Sequence, residues 1–219
     1  MMDLALFDLD NTLLNGDSDH AWGQFLADEG LVDAAEHTRR NNAFWEQYKD
    51  GTIDFDAYLR FALATIAGKT DAELEGLHRR FMLAKIDAMI TPGAVELVKR
   101  HADDLSAIVT ATNTFVTRPI ARRLGVEMLI GSEAEKIDGR YTGAPTGVMC
   151  FREGKIQRVE AWLAETGKTI ESFRRSWFYS DSFNDLPLLQ RVTHPVVVSP
   201  DTRLRAVARE RGWPILEAL

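Results

Sequence analysis

Short apolar runs recur along the chain, and each one ends in polar residues. The first covers residues 4–9 and stops at an Asp-Asn pair, and four similar runs follow at 105–109, 127–131, 177–179 and 195–199. Apolar runs of this length without polar alternation are typical of strands that are buried on both faces of a parallel sheet. The pattern therefore predicts a mainly parallel sheet.

Amphipathic segments lie between the later runs. Thr91 is placed to cap a helix whose first residue is Pro92, and a second helix over 115–124 is expected to end at Gly125. Further helical patterns cover 155–166, 185–191 and 201–211. Strands that alternate with helices predict a doubly wound α/β fold with right-handed crossovers.

The stretch between the first two apolar runs breaks this alternation. Its pattern predicts helices only, at 19–29, 33–48, 55–67 and 71–87, and about seventy residues are too many for a loop between a strand and a helix. We therefore predict an inserted all-helical cap domain at 16–89, and an α/β core formed by 1–15 and 90–219. The turn-rich segment 139–147 is interpreted as a hairpin or a loop.

Composition narrows the class of protein. The 219 residues are 45% apolar and 27% charged, with a formal net charge of −7, and the paired arginines are scattered, so a nucleic-acid partner is not expected. No segment approaches the roughly 20 apolar residues that cross a membrane, and the first residues lack the features of a signal peptide. We expect a cytoplasmic protein whose only cysteine, Cys150, is a small buried side chain.

Carboxylates and hydroxyls follow the ends of the predicted strands. Asp8 and Asp10 end the first run, with Thr12 two residues further on, although an Asx turn alone also explains this motif. Thr110 ends the second run and Lys155 begins a helix, and each also fits a capping or surface role. Carboxyl ends of parallel strands meet at the ligand-binding edge of an open sheet, so these side chains are expected to converge there.

A third strand end adds two carboxylates. The run at 177–179 leads into Asp181, Asn184 and Asp185, where a helix cap is the alternative interpretation of Asp181. The chain thus contains, in this order, the aspartate motif at 8–12, Thr110, Lys155 and the acidic segment at 181–185. These four features together favour one shared site.

The order of these residues resembles the haloacid dehalogenase superfamily, in its phosphoserine-phosphatase-like branch with a helical cap. The first motif of that family corresponds to Asp8-x-Asp10-x-Thr12, the second to Thr110, the third to Lys155, and the fourth to Asp181-x-x-Asn184-Asp185. The resemblance covers the whole chain. Lys136 lies in the same interval as Lys155, and Lys155 is preferred because it opens a helix about one helical unit before the strand at 177–179.

The resemblance implies a Mg²⁺-dependent phosphatase that acts through an aspartyl-phosphate. Asp8 is then the nucleophile, Asp10 the general acid and base, and Thr110 and Lys155 hold the phosphoryl oxygens. The implied magnesium ligands are Asp8, the Asp10 carbonyl and Asp181, with Asp185 close by. Thr12 is expected to support the site, and Asn184 is expected to orient a neighbouring carboxylate or the phosphoryl group. Asp10 argues against a dehalogenase, because a leaving halide needs no proton.

The expected substrate is a small phosphorylated metabolite. In phosphoserine phosphatases an acidic residue after the first motif recognises the substrate amine and a cap arginine recognises its carboxylate. Asp17 falls nearest the acidic position, but Ala62 stands where the arginine is expected and Arg60 is two residues away. We therefore expect an amine-bearing ester without a carboxylate, such as histidinol phosphate.

Several roles in the cap and several protein classes stay open. Trp22, Phe44 and Trp45 can stack on a substrate ring or form ordinary core, and His20 can carry a proton or be a polar cap residue. Phosphoserine phosphatase and phosphotransferase are the alternatives within the superfamily, and a non-catalytic phospho-acceptor or phosphate-binding protein is the alternative outside it. The oligomeric state does not follow from the sequence.

Overall fold

A seven-stranded sheet forms the centre of the computed structural model, which describes residues 2–219. The order of the strands is β4-β3-β2-β1-β5-β6-β7, and all neighbours are parallel except the antiparallel pair β3 and β4. The strands are β1 (Leu4–Phe7), β2 (Leu105–Asn113), β3 (Met128–Ile137), β4 (Arg140–Thr146), β5 (Ser176–Ser180), β6 (His194–Val198) and β7 (Ile215–Leu216). The predicted α/β fold with a mostly parallel sheet is confirmed.

Nine α-helices accompany the sheet within residues 2–219. They are α1 (Ser18–Asp28), α2 (Ala34–Asp50), α3 (Phe55–Ala64), α4 (Asp71–Phe81), α5 (Pro92–Arg100), α6 (Thr114–Leu124), α7 (Glu153–Ala164), α8 (Leu186–Leu189) and α9 (Thr202–Arg211). Short 3₁₀ segments occur at Ile170–Ser172 and Phe183–Asp185, and α4 continues as a π-helical turn at Met82–Ile86. None of the helices described is long and apolar enough to cross a membrane.

The first strand explains why the sheet is covered on both faces. All four residues of β1 are fully buried, and alternate side chains point to opposite faces. Ala5 and Phe7 belong to one apolar cluster with α5, α6 and the helical insertion, whereas Leu4 and Leu6 belong to a second cluster with α7, α8 and α9. Because β1 lies between β2 and β5, its carboxyl end is in the middle of the sheet.

Most sequence-predicted helix ends agree with the structure. The Thr91 side chain accepts a hydrogen bond from the Ala94 amide, and Gly125 ends α6 in the left-handed conformation with φ of 77°. Most of the segment 139–147 forms β4, the second strand of a hairpin whose turn lies at Asp138 and Gly139, both with positive φ. Strand β7 was not predicted, since two residues after a proline carry no pattern.

Helices α1 to α4 are inserted between β1 and α5. The chain leaves and re-enters the core side by side, because Leu14 and Ile90 form an antiparallel bridge and the Asn15 amide donates to the Met89 carbonyl at 2.8 Å. The division of the chain into a core and a cap at these positions stays a prediction. The hairpin of β3 and β4 touches the insertion, since Gly68 donates to the Tyr141 carbonyl at 2.7 Å.

An aromatic cluster attaches the insertion to the core. Trp22 on α1 packs edge-on against Phe81 at 5.0 Å and against Phe115 of α6 at 5.4 Å between ring centroids. Trp22 is 2% exposed and Phe81 is fully buried. Of the two interpretations of Trp22, the structure therefore favours ordinary core.

We predict that Phe81→Ala destabilises the protein by about 3–5 kcal/mol, because it removes a ring from a closed aromatic cluster and leaves a cavity. Leu83→Ala is the matched control, since Leu83 is two residues away but 76% exposed. Denaturant unfolding of both variants measures the free energies. Similar small losses for both would show that the cluster does not hold the insertion to the core.

Candidate active site

Three neighbouring strands place the predicted residues together. Asp8 directly follows β1, Thr110 lies in β2, and Asp181 directly follows β5. The register aligns Phe7 with Ile108 on one side and with Tyr179 on the other, so the three polar side chains emerge at one edge of the sheet. This is the edge at which open α/β sheets bind ligands.

A buried lysine joins two of the carboxylates. The Lys155 ammonium donates to Asp8 Oδ1 at 2.8 Å and to Asp185 Oδ2 at 2.7 Å, and its side chain is 3% exposed. The Ser180 hydroxyl also donates to Asp185 Oδ2 at 2.7 Å. Lys136, by contrast, pairs with Asp71 on the surface. The structure thus brings Lys155, and not Lys136, to the strand ends.

Burial and charge act against each other in this group. Burial raises the pKa of Asp8, although Lys155 lowers it, and burial raises the pKa of Asp185 to about 6 against the same lysine. Burial lowers the pKa of Lys155, but Asp185 and Asp8 outweigh it and hold that pKa well above its usual range. The lysine therefore stays charged and compensates for the desolvation of the carboxylates.

No such cationic contact to Asp181 is found among the described residues. The Thr12 hydroxyl lies between it and the nucleophile candidate, 3.2 Å from Asp8 Oδ2 and 3.3 Å from Asp181 Oδ1. The Asp181 amide also donates to the Thr12 hydroxyl at 3.1 Å. Burial raises the pKa of Asp181 well above its usual range, and the neighbouring carboxylates of Asp8 and Asp185 raise it further. A cation placed between these carboxylates would relieve the repulsion.

The donor set fits a magnesium ion. The described residues contain no group of three or more His, Cys, Asp or Glu side chains that could hold a metal by themselves. Magnesium does not need such a group, because it is usually bound by one or two carboxylates, waters and a substrate phosphate. The carboxylates of Asp8 and Asp181, together with main-chain oxygen, have this composition.

Asp10 is held by hydrogen bonds on both oxygens. Its Oδ1 accepts from the Ser18 amide at 2.6 Å, and its Oδ2 accepts from the hydroxyls of Thr112 at 2.8 Å and Thr110 at 3.4 Å. Burial raises the pKa of Asp10 to about 6, and Asp17 adds to the shift. Sequence reasoning missed Thr112, although its position two residues after Thr110 puts it on the same side of the strand.

Asn184 makes a contact that the motif did not predict. Its side-chain oxygen accepts a hydrogen bond from Arg152 Nε at 3.1 Å. No hydrogen bond from its side chain to a carboxylate is found among the residues described. The expectation that it orients a neighbouring carboxylate therefore has no support in this geometry, whereas a role toward a phosphoryl group stays a prediction.

The helical insertion closes the site with an aromatic wall. A chamber contains Asp8, Asp10 and Asp17, and the rings of Phe44, Trp45, Tyr48, Phe55 and Tyr58 line it together with His20 and Asn41. Its free volume is about 30 Å³, which holds no more than a few water molecules. Of the aromatics left open by the sequence, Phe44 and Trp45 thus face the chamber. The chamber lining includes no Arg or Lys within the described part of the chain.

Asp17 has a structural role as well as a place in the chamber. It caps α1 by accepting a hydrogen bond from the His20 amide at 2.7 Å, and burial raises its pKa to about 7. Arg60 does not reach the chamber, because it is bound to Asp56 on the exposed side of α3 at 2.7 Å. Arg60 therefore does not take over the carboxylate-binding role that an arginine in place of Ala62 would have.

Sequence reasoning missed a second acidic residue of α1. Asp19 is 4% exposed, and it accepts hydrogen bonds from the Tyr58 hydroxyl at 2.8 Å and from the Asn113 amide group at 3.3 Å. Burial raises its pKa to about 7, and the Asp10 charge adds to the shift. The sequence contains a weak signal, because Asp17 and Asp19 flank Ser18 just where the insertion begins.

Comparisons with known proteins agree on one family. A model of the family described as haloacid dehalogenase-like hydrolase matches residues 5–190. A histidinol-phosphatase of Neisseria meningitidis is 47% identical over 219 residues, which are 99% of each chain. A phosphoserine phosphatase of Mycobacterium tuberculosis is 36% identical over 96% of this chain and 69% of its own length.

Solved structures show the same fold. A protein of unknown function from Bordetella pertussis superposes with a TM-score of 0.93 at 46% identity, over 99% of both chains. A substrate-bound phosphoserine phosphatase superposes with a TM-score of 0.70 at 17% identity, over 99% of this chain and 93% of that one. At this identity the second similarity concerns the fold alone.

We predict that Asp19→Asn raises the melting temperature, and raises it more at pH 8 than at pH 5. The pKa of Asp19 is about 7 in the folded protein against 3.8 ordinarily, so its ionisation destabilises the fold increasingly as the pH rises from about 4 to about 7. Removing the charge should stabilise the metal-free protein by on the order of 2–4 kcal/mol at pH 8, or roughly 5–10 °C.

The side-chain amide of the Asp19→Asn variant can retain both hydrogen bonds, since its oxygen can accept from Asn113 and its nitrogen can donate to the Tyr58 hydroxyl. Scanning calorimetry of both proteins at the two pH values measures the effect. An equal gain at pH 5 and pH 8, or a loss at pH 8, would contradict the electrostatic explanation.

Proposed function

Because the chain belongs to the haloacid dehalogenase-like hydrolases, we propose that it is a phosphatase that transfers the phosphoryl group of a small metabolite to Asp8. The observation that carries the proposal is the buried contact of Lys155 with Asp8 and Asp185 at a strand edge shared with Thr110 and Asp181. A nucleophilic carboxylate, a fixed cation and hydroxyl donors are what phosphoryl transfer requires at one point.

Asp8 is the proposed nucleophile. Lys155 binds its Oδ1 and Thr12 its Oδ2, so the orientation of the carboxylate is fixed before substrate binds, and the lysine charge favours its ionised form. Attack on phosphorus forms an aspartyl-phosphate and breaks the bond to the alkoxide leaving group. A magnesium ion held by Asp8, the Asp10 carbonyl and Asp181 would supply charge compensation between these carboxylates and the anionic phosphate.

Asp10 is the proposed general acid and base. With a pKa of about 6, the carboxyl is near the point at which it gives and takes a proton at neutral pH. It donates a proton to the leaving alkoxide, and afterwards, as the carboxylate, it takes a proton from the water that cleaves the aspartyl-phosphate. The hydroxyls of Thr110 and Thr112 and the Ser18 amide keep its side chain in place between the steps.

Histidinol phosphate is the proposed substrate. The chamber next to Asp8 and Asp10 contains Asp17 and aromatic rings, and no Arg or Lys of the described chain lines it. Such a lining suits a leaving group that bears an amine and a ring, and it offers no partner to a substrate carboxylate. The similarity to the histidinol-phosphatase of Neisseria meningitidis supports the same choice.

We predict that Asp8→Asn lowers the rate of p-nitrophenyl phosphate hydrolysis by at least about a thousandfold, because an amide attacks phosphorus poorly. The wild type should require Mg²⁺ and lose its activity in EDTA, with recovery when Mg²⁺ is restored. Steady-state kinetics measure the rates, and circular dichroism checks that the variant is folded. Substantial turnover by a folded Asp8→Asn protein would refute the mechanism.

We predict that the wild type hydrolyses histidinol phosphate with a higher kcat/KM than L-phosphoserine. An unpaired carboxylate in the closed chamber should cost on the order of several kcal/mol, which is enough to decide the preference. Asp17→Asn should lower kcat/KM for histidinol phosphate about tenfold or more and largely spare p-nitrophenyl phosphate, which has no amine. A wild type that prefers phosphoserine would refute the substrate and leave the phosphatase standing.

A further inference from the structure

The closed chamber poses a problem of access. About 30 Å³ is too little for a phosphomonoester, so part of the wall must move before substrate reaches Asp8. A larger cavity of about 650 Å³ lies next to the chamber and includes Gly51 and Asp181 in its lining. Trp45 and Tyr48 line both cavities, so the last turns of α2 form the partition between them.

The opposite side of the insertion is attached to the hairpin of β3 and β4. Two main-chain hydrogen bonds join them, from Gly68 to Tyr141 at 2.7 Å and from Tyr141 to Lys69 at 2.9 Å. The Arg140 guanidinium also donates to the Gly68 carbonyl at 2.8 Å, and the Tyr141 hydroxyl donates to Asp71 at 2.6 Å. These contacts make the α3–α4 side an unfavourable place for the cap to open.

Helix α2 is attached to the core more sparsely. Most of its side chains are exposed or half-buried, and it packs mainly on α1 and α3. Side-chain hydrogen bonds from two residues, Tyr48 and Arg152, join its C-terminal end to the core. The Tyr48 hydroxyl donates to Ser182 Oγ at 3.3 Å, and Arg152 Nη2 donates to the Gly51 carbonyl at 3.0 Å.

Arg152 has features that an ordinary surface arginine lacks. Gly51 ends α2, so the guanidinium meets the negative end of the helix dipole. The same guanidinium binds Asn184, beside Asp185, and thereby connects α2 to the loop that follows β5. Its neighbour Phe151 stacks on Phe55 of α3 at 4.4 Å.

The backbone at Arg152 is also unusual. Its φ of 50° and ψ of −120° place a non-glycine residue in a sparsely populated conformation, directly before α7 and three residues before Lys155. Such conformations persist where the surroundings hold them, and they concentrate at sites with a function. Here the conformation directs the side chain toward Gly51 and Asn184.

We propose that Arg152 is a positioning residue that latches the C-terminal end of α2 over the site, so that substrate enters when this latch releases and reacts when it re-forms. The proposal rests on the phosphatase function proposed above. Arg152 acts through Gly51 and Asn184 rather than on the phosphoryl group. The latch and the loop bearing Asp181 and Asp185 then close together, which links cap closure to the assembly of the site.

The test compares Arg152→Met with Arg140→Met. Both arginines donate a hydrogen bond to a carbonyl just beyond a helix of the insertion, but on opposite sides of it. Arg152→Met should speed hydrogen exchange of the amides in 42–51 about tenfold and leave 133–146 unchanged. It should also raise KM for p-nitrophenyl phosphate about tenfold with kcat within about twofold, since a smaller fraction of molecules is closed. Arg140→Met should leave both measurements at wild-type values.

Two further variants keep the test decisive. Arg152→Lys should give intermediate values, because it retains the charge but not the planar guanidinium that donates to both Gly51 and Asn184. Tyr48→Phe should shift hydrogen exchange and KM in the same direction as Arg152→Met. Unchanged exchange of 42–51 in Arg152→Met, or equal acceleration in 133–146, would overturn the latch. A wild type that is inactive on p-nitrophenyl phosphate would refute the phosphatase function instead, while the exchange comparison would still decide the latch.

Discussion

The buried contact of Lys155 with Asp8 and Asp185 is the interaction on which the site depends. Removing one partner of such a group leaves an uncompensated buried charge, which typically costs 3–5 kcal/mol. The contact also dictates local structure, because Lys155 must enter from the first turn of α7. The same turn contains Gly154, where a Cβ would collide with the Met149 carbonyl of the tight loop before the helix. Chemistry at the end of β1 therefore determines backbone geometry nearly 150 residues later in the chain.

Charge divides the site into two halves. On the core side, Lys155 compensates Asp8 and Asp185. On the side of the insertion, Asp17 and Asp19 are held by neutral donors, and burial raises the pKa of each to about 7. The first half suits an anionic phosphoryl group that is bound with a metal ion, and the second half favours a positively charged leaving group. The two halves meet at Asp10, where a proton must pass between them.

The sequence predicts the strand-end residues well, because a short apolar run and the polar residue after it are a local signal. Asp8, Thr110 and Asp181 each follow from such a run, and their convergence follows from the geometry of parallel sheets. The choice between Lys155 and Lys136 was different, since both lie between the second and the fourth motif and only the folded chain separates a buried lysine from a surface one. The spacing and helix pattern favoured the one that the structure brings to the site.

Residues that act between the insertion and the core carry no such local signal. Arg152, Tyr48 and Asp19 are ordinary residues in their segments, and their partners lie 32 to 134 positions away along the chain. Their importance arises from packing between segments that are distant in sequence, which neither periodicity nor a motif records. The π-helical turn at Met82–Ile86 is hidden for a related reason, because it continues the helical pattern of α4.

The core and the insertion contact different parts of the substrate in the proposed reaction, and this explains where selectivity for the substrate has to arise. In the proposed reaction the side chains at the strand ends act on the phosphoryl group and on the ester oxygen that leaves it, and every phosphomonoester has both. Discrimination must come from the leaving group, and α1, α2 and α3 provide most of the wall that faces it. Closure makes that wall selective. In the open chamber, water can solvate a polar or charged substrate group that has no partner in the protein, whereas in the closed chamber the same group is left unpaired. Selectivity and closure are then two consequences of the same helical insertion, and a residue that holds α2 in place contributes to both.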